Sequence, residues 1–262
     1  MIRHLRLFWL FAKLSIQDDT AYRAEFWSRL LMTFYWFLGV AAGLWVIFSN
    51  TETVSGWTLD QVIVLVGTFH IVGGVVRAVL APNFQRFVEE VQSGTLDFLL
   101  TKPASGQFLA SFRRIAVPQL VESAMGLGLA TIGVVRAAGT FDAAQVAAYL
   151  FALACGLVIL YSFWLAMITL VFWFVRIENV TQIFWSLFEA ARFPLDIYPG
   201  WLRALVSYII PVAVITTFPA QGFVTGHSWA GLAGFAAAAA AALASASLFW
   251  RRGVSSYTSA SS

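Results

Sequence analysis

The chain has 262 residues, 60% of them hydrophobic and 11% charged, against the ~25% charged residues of a soluble domain. That composition excludes a water-soluble globular protein and points to a polytopic membrane protein. Lys and Arg outnumber Asp and Glu by 16 to 13, yet the basic residues sit beside apolar runs, where membrane orientation explains them without nucleic acid.

Residues 1–24 read as an interfacial helix. Arg3, Arg6, Lys13 and Gln17 gather on one side, and Leu5, Phe8, Trp9, Ala12 and Ile16 line another. Asp18-Asp19-Thr20 is expected to break or recap it. Leu30 to Phe48 forms a first span, long enough for ~30 Å of hydrocarbon. It contains Trp36, and Gly39 and Gly43 at the GxxxG spacing that permits close helix approach. A polar loop, Ser49 to Leu59, leads to a second span from about Gln61 to Ala81. His70 lies near the middle of that span, where a polar side chain is costly and marks a candidate site. A hydrogen bond to a neighbouring helix explains His70 equally. Arg77, near the end, fits snorkelling to headgroups.

Residues 82–104 carry charge between two very apolar stretches. Phe84, Phe87, Val88 and Val91 recur at helical period, with Arg86, Glu89, Glu90 and Gln92 on the other side. Gly94 is expected to end this helix in the left-handed conformation. Thr95 is placed to cap a second short turn, Leu96 to Leu100, with Asp97 inside it and Pro103 stopping it. A surface segment offering carboxylates to a partner fits this pattern, and so does a solvated loop.

A third span, Ile115 to Val135, contains Pro118 and Glu122. The fourth helix, Gln145 to Phe174, is about 45 Å long, more than a bilayer needs. Val180 to Phe193 is a fifth apolar helix, with Trp185, and with Glu189 and Arg192 spaced to pair on one face. Pro194, Pro199, Pro211 and Pro219 then forbid one continuous helix, so residues 194–227 are expected to form short re-entrant helices in the outer leaflet. Trp229 to Trp250 is the sixth span, stopped by Arg251-Arg252. The expected fold is therefore all-α: one transmembrane domain, residues 1–262, with six spans. Basic residues concentrate at both ends and in the 82–114 loop, which places both termini and that loop in the cytoplasm of a cell whose inner or plasma membrane holds the chain.

No nucleotide-binding loop is present. The two lysines, Lys13 and Lys102, have no phosphate-cradling glycines before them. One cysteine, Cys155, allows no internal disulfide, and His4, His70 and His227 are far apart in sequence, so no metal or other cofactor is expected on the chain.

Glu89 to Pro103, Glu-Glu-Val-Gln-Ser-Gly-Thr-Leu-Asp-Phe-Leu-Leu-Thr-Lys-Pro, resembles the coupling segment of the transmembrane permeases of type-2 ABC exporters. The helix before the first span, the proline-punctuated stretch before the last, and the run Arg192-Phe193-Pro194-Leu195-Asp196-Ile197-Tyr198-Pro199 extend the likeness over nearly the whole chain. The resemblance implies a permease that dimerises with an identical or paired permease. It also implies separate ABC ATPase subunits that bind ATP and Mg and contact Glu89, Glu90, Gly94, Thr95, Leu96 and Asp97; Arg86, just before the matched segment, is a further coupling candidate. For the translocation pathway the candidates are Trp36, Gly39, His70, Arg77, Trp185, Glu189 and Arg192.

Two other classes fit parts of the pattern. An ion-coupled secondary transporter would use Glu122, Glu189 and His70 as a proton relay. An integral membrane enzyme would need Glu189, Arg192 and Asp196 to converge.

Overall fold

Helices build the protein from end to end, in a computed structural model that describes residues 2–21, 23–138, 142–174, 180–204, 207 and 211–257. Helix α1 (Ile2–Ala21) continues through Asp18-Asp19-Thr20, so the break expected there is absent. Phe8 packs edge-on against Phe112, and buried Ser15 accepts the Ile115 N–H at 3.1 Å. Trp9, Leu10 and Leu14 remain exposed, as suits a helix lying in headgroups.

Helix α2 (Arg23–Phe48) leaves most of its surface exposed: its apolar window is 6% buried. A Cβ added to Gly39 or Gly43 would meet nothing within 4 Å, so neither glycine makes a close helix contact among the described residues. The loop that follows contains a small hairpin, β1 (Thr53–Val54) and β2 (Trp57–Thr58), unforeseen in the sequence. Ser55 and Gly56, at φ 50° and 84°, make its turn. Thr58 then caps α3 (Leu59–Val75) in a reciprocal box with Gln61.

Helix α3 does not end where the second span was expected to. It passes through a π turn, Val76–Leu80, into α4 (Ala81–Gln92), giving 34 continuous residues, or ~51 Å. The charged end beyond residue 82 therefore stands outside a ~30 Å hydrocarbon layer. Pro82 explains the local geometry. It has no N–H to give the Ala78 carbonyl, and that carbonyl instead accepts the Ala116 N–H at 2.8 Å. One residue earlier, the Ala81 N–H reaches back five residues to Val76, the π pattern.

Short helices α5 (Asp97–Leu100) and α6 (Gly106–Phe112) lead to α7 (Leu120–Ala138). Helices α3 and α7 form the closest pair. Gly67 faces the Ala130 backbone, Gly74 faces Ser123, Gly126 faces Ile71 and His70, and Gly133 faces Val64; a Cβ at any of them would collide. Small residues spaced seven apart on each helix thus let the two backbones touch.

Helix α8 (Ala143–Thr169), capped by Asp142 and prolonged by a 3-10 turn, Leu170–Phe172, matches the long fourth helix. Helix α9 (Val180–Phe188) has nine residues plus a four-residue 3-10 turn, Glu189–Arg192. That is ~20 Å, too short to cross a bilayer alone; residues 175–179 before it lie outside the described residues. After α10 (Gly200–Ala204), α11 (Val212–Thr225) packs on α8 and α3. Its Thr216 hydroxyl donates to the Ala191 carbonyl at 2.7 Å. Helix α12 (Trp229–Ser256) packs along α8 and runs past Arg251-Arg252, which do not stop it. Arginine is a good helix former, and its charge marks the water boundary without ending the helix.

Five helices among the described residues are long and apolar enough to cross a membrane: Leu30–Phe48, Leu59–Gln92, Val117–Ala137, Ala143–Phe172 and Trp229–Ser256.

Candidate functional site

Several polar residues of the apolar helices, His70, Arg77, Glu122, Glu189 and Arg192 among them, line one chamber. It has a volume of about 470 Å³ and lies between α2, α3, α7 and the turn after α9. Six of the seven pathway candidates line it or the groove beside it, and Trp185, the seventh, touches one of them. Glu122, from α7, is the centre of its charge. Arg77 Nη1 donates to both Glu122 oxygens, at 2.7 and 2.8 Å. His70 Nδ1 lies 3.0 Å from Glu122 Oε1; a carboxylate oxygen only accepts, so the imidazole proton sits on Nδ1. Both His70 and Glu122 are buried, at 5% and 9% exposure. Arg77 therefore turns inward to a carboxylate, where snorkelling was expected.

Local structure explains that turn. Arg77 lies inside the π turn, and Gly73, one helical turn earlier, leaves room for its guanidinium: a Cβ there would meet Arg77 Nη1 at 2.9 Å. The Arg77 guanidinium also stacks over the Trp185 ring at 4.7 Å. Across the chamber Glu189 and Arg192 pair at 2.6 Å, as their spacing foretold, and Arg192 lies over Phe69 at 5.4 Å. Phe37 tilts over His70 at 4.3 Å between centroids.

A second cavity of about 390 Å³ shares Trp36, Val40 and Arg192 with the chamber. Gly39, Gly43, Phe48, Val54, Phe193 and Ile197 extend it toward the β1–β2 hairpin. The two together make a continuous polar-to-apolar groove along one face of α2. Asp196 stays apart from Glu189 and Arg192: its carboxylate accepts the Trp57 indole N–H at 3.0 Å and pairs with Arg203 at 2.8 Å. These three groups thus do not converge as a catalytic cluster.

At the other end of the α3–α4 helix, the charged segment has a defined shape. Gly94 takes φ 70°. The Gly94 N–H donates to the Val91 carbonyl and the Thr95 N–H to the Glu90 carbonyl, closing α4 with a two-bond cap. The Thr95 hydroxyl lies 2.9 Å from the Ser93 hydroxyl and 3.5 Å from the Glu90 carbonyl, and does not cap α5 as expected. Leu96 and Leu99 are buried at 0% and 2%, anchoring α5, while Phe98 between them is 76% exposed.

The carboxylates divide. Glu89 is exposed and Asp97 half-buried. Glu90 faces inward: Arg113 gives it two bonds, at 3.0 and 2.8 Å, and Arg86 a third at 3.1 Å. Burial opposes its charge, yet these two arginines hold the Glu90 carboxyl below its ordinary value. Asn83, wholly buried, completes the joint. Its amide N–H group donates to the Val79 and Arg114 carbonyls, and its oxygen accepts the Arg113 and Arg114 N–H groups at 3.0 and 2.9 Å. Sequence reading missed Asn83; an asparagine on the apolar face of an amphipathic helix was the available signal. No cluster of metal-binding side chains occurs among the described residues.

The sequence model of a family described as "ABC-2 family transporter protein" matches residues 30–261. No curated protein and no solved structure matches the chain. The family match covers the spans, the chamber and the charged segment together, and the chain belongs to the ABC-2 family of transporter proteins.

Proposed function

We propose that this chain is the permease subunit of an ATP-driven exporter, working as a dimer with an identical or paired permease. The observation that carries the reading is the single helix from His70 to Glu90, which joins the chamber to the segment resembling a coupling helix. A partner moves a permease only through a contact that differs between its own states. A stiff helix braced by Asn83 and Arg113 transmits such a difference, whereas a loose loop would absorb it.

In this reading α9 belongs to a sixth crossing. Helix α11 is re-entrant from the outer side, and both termini lie in the cytoplasm of the inner or plasma membrane. ATP and Mg belong to the ATPase partner. Glu89, Thr95 and Phe98 face that partner, and Arg86, Glu90, Gly94, Leu96 and Asp97 shape the segment that presents them. Substrate passes along the α2 groove, past Trp36, Gly39, His70, Arg77, Trp185, Glu189 and Arg192. The ion-coupled alternative draws on the His70–Glu122 contact, but Arg77 already occupies both Glu122 oxygens, which favours a fixed structural charge over a proton carrier.

Affinity purification of the tagged chain from its native membrane is the test. An ATPase subunit recovered in stoichiometric amount, and lost with Phe98→Glu, supports the reading. Recovery of the chain without any ATPase contradicts it.

A further inference from the structure

A further cavity lies on the side of the π turn opposite Arg77. Its volume is about 570 Å³, within the ~300–1,000 Å³ of sites that enclose a molecule of drug size. Val75, Val79 and Leu80 form one wall, Phe108 and Phe112 of α6 a second, and Leu157 and Val158 of α8 with Leu243 of α12 a third. Its polarity is graded. Along α8 the lining passes from Leu157 and Val158 to Tyr161, moving toward the end of the molecule that carries the charged segment. Along α12, Leu243 precedes Ser247 in the same direction.

At that end the polar groups are already organised. The Gln107 amide donates to the Tyr161 hydroxyl at 3.1 Å and to Ser247 at 3.2 Å, and Ser111, wholly buried, lies 3.0 Å from the same Tyr161 hydroxyl. Ser105 lies at the rim, and exposed Lys102 is three residues before it.

We infer that this cavity holds one acyl chain of a phospholipid from the leaflet on the charged-segment side. Its glycerol region would meet Ser105 and Gln107, and its phosphate would lie within reach of Lys102. Three features select that occupant. Two of the three walls belong to helices long enough to span a membrane, so the bilayer supplies what fills them. The apolar end points toward the membrane interior and the polar end toward its surface, the orientation of a lipid. A basic residue, exposed Lys102, precedes Ser105 of the polar end by three residues, on the side where an anionic headgroup would lie. The inference does not depend on the export reading.

The test counts phospholipid bound to the full chain, purified in dodecyl maltoside and washed with excess detergent, by native mass spectrometry. Leu157→Trp and Leu243→Trp fill the cavity from different helices, so a folding failure of one, judged by gel filtration, leaves the other informative. Leu150→Trp, exposed on α8 outside the cavity, is the control. Wild type and Leu150→Trp are expected to retain one phospholipid per chain, and each cavity-filling variant about tenfold less. Lys102→Glu should lower retention of phosphatidylglycerol about fivefold. Equal retention by wild type and both filled variants, or none by wild type, overturns the inference. If Lys102→Glu leaves phosphatidylglycerol retention unchanged, the headgroup placement fails.

Discussion

Glu90 and Arg113 face each other in a paired, two-bond contact, Nη1 to Oε1 at 3.0 Å and Nη2 to Oε2 at 2.8 Å, with side chains 15% and 10% exposed. They lie 23 residues apart and tie the end of α4 to the start of the third span. Removing Arg113 leaves Glu90, in a half-dry site, with only the exposed Arg86 as partner. Arg113→Ala should therefore destabilise the protein by about 2–3 kcal/mol, somewhat below the range for fully buried pairs. Thermal denaturation in detergent measures this, and Arg113→Lys, which cannot form the fork, should recover only part of the loss.

The same pair sets a pH dependence. The Glu90 carboxyl is held below its ordinary value of 4.5, so the folded state binds that proton less readily than the unfolded chain. Its contribution is fully present above the ordinary value and is lost as pH falls through the lowered one. The stability gap between wild type and Glu90→Gln should thus be constant from neutral pH down to about 5 and close below it. A gap that widened on acidification would contradict the pairing.

Helix approach gives a contrast between glycines. A Cβ on Gly67 would lie 2.5 Å from the Ala130 backbone nitrogen, whereas nothing lies within 4 Å of one on Gly39. Gly67→Val should force α3 and α7 apart and cost at least about 2 kcal/mol, an overpacking effect. Gly39→Val should leave abundance and melting temperature within error of wild type, while any effect it has on export reports on the α2 groove.

This contrast also shows what could be read beforehand. Span lengths follow from hydropathy, so α8 and α12 were nearly located from their apolar runs. Gly94 was legible because a helix end followed by polar residues calls for a left-handed position. His70, Arg77, Glu189 and Arg192 were singled out because charge in an apolar run is costly. The contact of His70 and Arg77 with Glu122, in a chamber shared with Glu189 and Arg192, was not legible, since hydropathy carries no information about which helix faces meet. The Gly39 and Gly43 spacing suits packing within the chain or against another subunit; the close contact within the chain uses Gly67, Gly74, Gly126 and Gly133, whose seven-residue spacing hides among other small residues. The continuity of α3 with α4 depends on Ala116 accepting the role that Pro82 vacates, a long-range bond with no local signature.

Charge in the chamber is balanced pairwise, which separates stability from function. Glu122→Gln leaves Arg77 and His70 facing an uncharged partner and should destabilise by about 2 kcal/mol. The Arg77→Met, Glu122→Met double variant removes the ion pair and replaces it with apolar volume, an exchange that is often neutral. Its abundance should return to near wild type. If the chamber is part of the pathway, export should stay impaired in that stable protein; wild-type export would place the route elsewhere.

The central claim is that the segment from Arg86 to Pro103 carries force from an ATPase, and position 98 tests it most directly. A photo-crosslinking amino acid is placed in turn at Phe98, 76% exposed, at buried Leu99, and at exposed Leu150 of α8, and each variant is irradiated in native membranes with and without a trapped ATP analogue. The account predicts a crosslink from position 98 to an ATPase subunit, changed in yield by the nucleotide, and none from positions 99 and 150. No ATPase crosslink at position 98, or one equal to that from position 150, would contradict it.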